Sequence, residues 1–141
     1  MKNPLTASLL IALALAGACS KSDSDPLIAK IDKHGDEILA SNTKAEARAW
    51  MTHPHHVFFK ADPKQVAQFV EDFYQAGAEK VYIADIEEEQ GNFYGEGLLV
   101  VLPKDAAARA KLFEVESRAD TAFDDTPVTD KGQKYLYNGL D

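Results

Sequence analysis

All four histidines of the chain lie between residues 34 and 56, and three of them form the run His53-Pro54-His55-His56. On an extended backbone a His-x-His pair projects to one side, and neutral imidazole is the commonest side-chain ligand for zinc or copper. His53, His55 and His56 are therefore the candidate metal ligands. A closed site needs one or two more donors, and His34, Glu37 or a distant acid could serve; without them the run is a solvated lead-in to a strand. Acids crowd two further places, Glu87-Glu88-Glu89 and the segment holding Asp120, Asp124, Asp125 and Asp130. Neither has the spacing of a calcium loop, so both read as solvated charge.

Other reactive patterns are missing. Beyond residue 25 the only serines are Ser41 and Ser117, and neither sits in the Gly-x-Ser-x-Gly context that exposes a nucleophile at a strand-to-helix turn. Gly91, Gly95 and Gly97 lack the Lys-Ser or Lys-Thr pair of a phosphate loop. Any two of the many acids could converge for carboxylate chemistry, but nothing picks a pair out. The sequence thus assigns no catalytic residue and no cofactor. It does offer aromatic residues, Trp50, Phe58 and Tyr82, as candidates for a binding surface.

The first residues carry more specific information. Lys2 supplies one positive charge ahead of a mostly apolar segment from Leu5 to Ala16, too short for a permanent span, which needs roughly 20 apolar residues. The segment ends in Leu15-Ala16-Gly17-Ala18-Cys19-Ser20, and Cys19 is the only cysteine in the chain. This pattern resembles the lipobox that ends the signal peptides of bacterial lipoproteins. The resemblance implies removal of residues 1–18, acylation of Cys19, and, because Ser20 is not Asp, residence in the outer membrane facing the periplasm if the organism has one. Residues 19–25 then form the lipidated cysteine and a short polar tether. The six residues from Ser20 to Asp25 reach at most about 20 Å, which would hold the domain close to the bilayer.

Removing residues 1–18 takes away one Lys and no acid, so the formal charge moves from −8 to −9. That acidity argues against a nucleic-acid partner, which needs clustered Lys and Arg. The remaining 123 residues are one domain's worth.

The elements that must position any site follow from spacing. Asp25-Pro26 opens a helix over 26–40, with Leu27, Ile28, Ile31, Ile38 and Leu39 at helical spacing and His34-Gly35 as its weak middle. Thr43 and Glu46 form a capping-box signal for a short helix through Trp50. Residues 26–52 are thus an N-terminal helical segment. Val57 to Ala61 reads as a strand with apolar bulk on both faces. Asp62-Pro63 starts a helix with Val66, Phe69, Val70 and Phe73 on its buried stripe and Gly77 at its end. Lys80 to Ile86 reads as a strand, 87–92 as a turn, and Phe93 onward as a strand leading into Gly97-Leu98-Leu99-Val100-Val101-Leu102-Pro103. That apolar run is a strand buried on both faces. A helix opens at Pro103-Lys104-Asp105, an acidic loop covers 121–131, and Gln133 to Tyr137 is the final strand.

Over residues 53–141 this order, strand, helix, strand, strand, helix, strand, is that of the α+β, ferredoxin-like split βαβ fold, an antiparallel sheet with two helices on one face. Its central strands would be Val57–Ala61 and Leu98–Leu102. The two helices leave the second sheet face bare, and the N-terminal helices are the nearest cover; otherwise that face would be a homodimer or protein-partner surface. The expectation is a small membrane-anchored lipoprotein acting as a non-catalytic binding or envelope-accessory module, tethered to the membrane by its lipid. The alternatives are a periplasmic metal-binding or sensing protein using His53, His55 and His56, and a small enzyme with a carboxylate site.

Overall fold

The computed structural model describes residues 25–140, so the expectations for the signal peptide and for Cys19 lie outside the described residues. Among the described residues, three of the four helices begin on an aspartate whose carboxylate accepts a backbone N–H of the first turn. Asp25 caps α1 (Pro26–Ala40), accepting from Leu27 at 2.9 Å. Asp62 caps α3 (Pro63–Gln75), accepting from Lys64 at 3.0 Å. Asp105 caps α4 (Ala106–Ala122), accepting from Ala108 at 2.9 Å. Each satisfies a donor that the helix itself cannot.

The short helix α2 (Ala47–Met51) differs from the capping-box expectation: its cap is Glu46 itself, whose carboxylate accepts from both Arg48 and Ala49. Thr43 bonds Ser41 instead, because Ala45–Glu46 has become a two-residue strand, β1.

The principal sheet has the order β1-β3-β6-β7 and is antiparallel throughout, with β3 at Val81–Ala84, β6 at Gly97–Val101 and β7 at Tyr135–Gly139. Its centre is β6, the apolar run. Leu98 and Val100 point to the face covered by α2, α3 and α4, where they meet Phe73, Val66 and Leu112. Leu99 and Val101 point to the opposite face and pack with Ile38, Ile31 and Tyr135 under α1. Leu98, Leu99 and Val100 are fully buried, so a side chain on either face contributes about 2 kcal/mol of hydrophobic stabilisation. The N-terminal helix therefore is the missing layer, and the molecule is a helix–sheet–helix sandwich of α+β type.

The second expected central strand is not one. Only His56–Val57 (β2) is extended, and it pairs in parallel with Asn92–Tyr94 (β5) in a separate sheet of order β2-β5-β4. The place a first strand of a split βαβ unit would take, between β6 and β7, is closed by five direct residue pairs, Gly97↔Gly139 to Val101↔Tyr135. The bulk of Phe58 and Phe59 is absorbed by rings, not by a sheet: Phe58 lies against Trp50, and Phe59, 54% exposed, stacks on Tyr94 at 4.0 Å. The expected turn at 87–92 is a hairpin in which Glu87–Glu89 (β4) pairs with β5, closed by Gln90 and Gly91, both at positive φ.

Candidate functional site

Two of the three candidate metal ligands, His53 and His56, come together in an aromatic stack, while His55 lies tilted at 49° and 6.0 Å from His53. His53 and His56 lie ring on ring at 4.3 Å and 20°, and His56 continues the stack onto Trp50 at 4.6 Å and 19°. Lone pairs of imidazole lie in the ring plane, so two nearly parallel rings direct theirs side by side and do not converge on one ion. The hydrogen bonds act the same way. His53 Nδ1 accepts from the His55 N–H at 3.3 Å, which leaves the hydrogen of a neutral ring on Nε2. His56 Nδ1 donates to the Trp50 carbonyl at 2.6 Å. Among the described residues no group of three or more His, Cys, Asp or Glu side chains is placed to hold a metal ion.

The three aromatic candidates do not share a surface. Trp50 is core, 4% exposed, and with Phe58 closes over Gly95, where a Cβ would meet Ile83, Trp50 and Phe58. Tyr82 stands on the other side of the sheet, among the residues under α1. There it lines a groove.

That groove lies between the C-terminal end of α1 and the β3–β6 strands. It has a volume of about 440 Å³ and is lined by Leu39, Tyr82, Val101, Leu102 and Pro103 together with the charged Lys44, Glu79 and Lys80. Small-molecule sites commonly have this size and this combination of apolar wall with few charges. Lys44 Nζ donates to the Ser41 carbonyl at 2.7 Å, which fixes its stem along the groove, while Lys80 and Glu79 are exposed. In a chain of net charge −8, two lysines against one acid make this wall locally cationic.

Next to it the two-residue edge strand β1 pairs with β3 at Ala45↔Ile83 and Glu46↔Tyr82 and leaves the start of β3 to be covered by side chains. The Tyr74 hydroxyl donates to the Glu46 carboxylate and lies 3.4 Å from the Val81 carbonyl. The Arg48 guanidinium sits 4.0 Å over the Tyr74 ring and is held by Glu71 through bonds of 2.7 and 2.8 Å. Burial, then the Glu46 carboxylate, pushes the Tyr74 hydroxyl up to about 12, so it remains a donor at neutral pH. A sheet edge plugged in this way does not present a free strand for pairing.

Two polar clusters have no counterpart in the sequence reading. On the α1 face, Asp85 Oδ2 meets His34 Nε2 at 2.9 Å and accepts from the Tyr137 hydroxyl at 2.7 Å. Asp85 does so from a positive φ of 52°, a conformation that costs energy in a non-glycine residue. Sequence offered one usable signal, a histidine in the middle of an apolar stripe, but its partners lie 51 and 103 residues away. On the other face, Glu116 and Asn138 are 1% and 0% exposed, and Asn138 Nδ2 donates to Glu116 Oε1. Here a signal existed: Leu112, Val115 and Ala119 define a buried stripe that runs through Glu116 and Asp120.

No protein-family model, curated protein or solved structure matches this chain.

Proposed function

We propose that this chain is a lipid-anchored envelope lipoprotein whose folded part is a non-catalytic binding module, taking a small amphipathic anion in the groove between α1 and the sheet. The observation that carries this reading is the groove itself, about 440 Å³ with Leu39, Tyr82 and Val101 on its wall and Lys44 and Lys80 beside them. An apolar body against the wall and an acidic head at the lysines would satisfy both parts of the lining.

The anchor is supported by the lipobox pattern at Leu15-Ala16-Gly17-Ala18-Cys19. Among the described residues no helix is long and apolar enough to cross a membrane. The cover that α1 provides over the second sheet face favours a small ligand over the homodimer or partner surface expected there, since a partner on that face would have to displace the helix.

Two measurements test the proposal. Cys19→Ser in the full chain should move the protein from the membrane pellet to the supernatant after cell fractionation; retention in the pellet would sink the anchor. Calorimetry with decanoate should show binding that Val101→Trp, which fills the groove, abolishes and that Lys80→Glu weakens about tenfold. Equal affinity for decanoate and decanol would remove the role given to the lysines.

A further inference from the structure

The seam between α4 and β7 contains a polar pair that is sealed from solvent yet half satisfied. Asn138 Nδ2 donates to Glu116 Oε1, but among the described residues Glu116 Oε2 and Asn138 Oδ1 have no hydrogen-bond partner. Both residues are essentially fully buried. Two oxygens left facing the interior as acceptors would cost several kcal/mol, and an ionised carboxylate there would cost more. One proton removes both deficits. A carboxylic acid and a primary amide are complementary, each offering one donor and one acceptor on the same edge. If Oε2 carries a hydrogen it becomes the donor that Asn138 Oδ1 lacks.

We propose that Glu116 and Asn138 form a closed acid–amide pair, with Oε2–H donating to Asn138 Oδ1, and that loss of this proton is a built-in pH-sensitive release of the α4–β7 seam. The groups that act on the Glu116 carboxyl are Asp120, one turn on in the same helix, and Asp125 in the loop beyond; both are acidic, and no cation acts on it. From β7 the contribution is the neutral amide of Asn138. From α3, Asp72 faces α4 and is held by Arg118 at 3.1 Å. The Asn138 N–H bond is thus the one contribution that favours the anion, and no positive charge adds to it. Burial first, opposed by the Asn138 bond and added to by Asp120 and Asp125, leaves the carboxyl raised to about 8.

The sign follows. A carboxyl raised from an ordinary 4.5 to about 8 on folding binds more protons in the folded chain than in the unfolded one between those values. Its stabilisation is complete below about 4.5 and is lost as pH rises through about 8. A cation in place of the proton is the competing account of the same orphaned oxygens, but no three acids here converge on a metal position.

The test is thermal unfolding of the wild type and Glu116→Gln between pH 5 and pH 9.5. Glutamine carries permanently the donor that the acid has only when protonated. The wild type should lose roughly 10 °C between pH 6 and pH 9, whereas E116Q should stay level over that range and exceed the wild type at pH 9. Equal slopes for the two proteins would overturn the proposal. Should E116Q not fold, the carbon-13 shift of the wild-type Glu116 carboxyl decides: a midpoint above pH 7 supports the pair, and one below pH 6 overturns it.

Discussion

The two faces of the principal sheet are held by different forces. On one, α3 and α4 press Phe69, Phe73, Leu112 and Val115 against Leu98 and Val100 in a large apolar cluster. On the other, the buried cluster is only Ile38, Ala84, Leu99 and Tyr135, and α1 is fastened mostly by polar contacts at its flanks. Asp36 accepts from Lys134 Nζ at 2.8 Å and from the Tyr135 hydroxyl at 2.7 Å, Asp32 accepts from the Lys134 N–H at 2.8 Å, and Asp25 pairs with Lys131 at 2.8 Å. Apolar packing is cooperative and hard to divide. Exposed polar fastenings can be undone one at a time, so α1 is the element expected to open first.

The sharpest way to break that comparison is to remove one large side chain from each face. Phe73→Ala should cost about 4 kcal/mol and lower the urea midpoint of the whole domain, because Phe73 is fully buried among both helices. Ile38→Ala should cost about 2 to 3 kcal/mol. In native-state hydrogen exchange that second variant should open the α1 amides while those of β6 keep their protection. Equal loss of protection in β6 would show that the two faces unfold as one unit.

Much of this arrangement is legible in the residues. The apolar run of β6 reads correctly as buried on both faces because nothing but burial explains five such residues in a row, and Asp25 and Asp62 read correctly as helix starts because capping is local chemistry. The segment Val57–Ala61 misleads, since alternating bulk cannot say whether a sheet or a neighbouring ring will meet it; here Phe58 packs on Trp50, and Phe59 stacks on Tyr94 while staying half exposed. Glu87–Glu89 misleads in the other sense. Acids are poor strand formers, yet on the exposed edge of a hairpin they keep the edge soluble. The groove could not be read at all. Leu39, Tyr82 and Val101 meet only because α1 crosses the sheet, and no spacing along the chain encodes that crossing.

A smaller effect tests how closely α1 is seated. Gly35 lies in the middle of the helix, where alanine ordinarily stabilises by about 0.5 to 1 kcal/mol. A Cβ at this position would run into the Tyr135 ring, which is itself held by Asp36. Gly35→Ala is therefore expected to destabilise, by about 1 to 2 kcal/mol, with the chemical-shift changes concentrated in α1 and β7. A gain in stability would mean that α1 rides loosely over the sheet and that the groove at its C-terminal end has no fixed wall.

The smallest expected effect belongs to the polar fastening itself. The Lys134 ammonium, and after it the Tyr135 hydroxyl, hold the Asp36 carboxyl below its ordinary value of 3.8. A carboxyl depressed on folding contributes stability that is present above its unfolded value and disappears as pH falls through the lower folded one. Asp36→Asn should therefore lower the melting temperature slightly at pH 7, and the gap from the wild type should close as the pH falls below about 3.8. Glu116 works at the opposite, alkaline end of the scale, so the two faces can be loosened separately by pH alone. A wild-type gap that persists unchanged to pH 2.5 would show that Asp36 acts through its shape and its neutral hydrogen bonds, and α1 would then be held by packing like the helices on the other side.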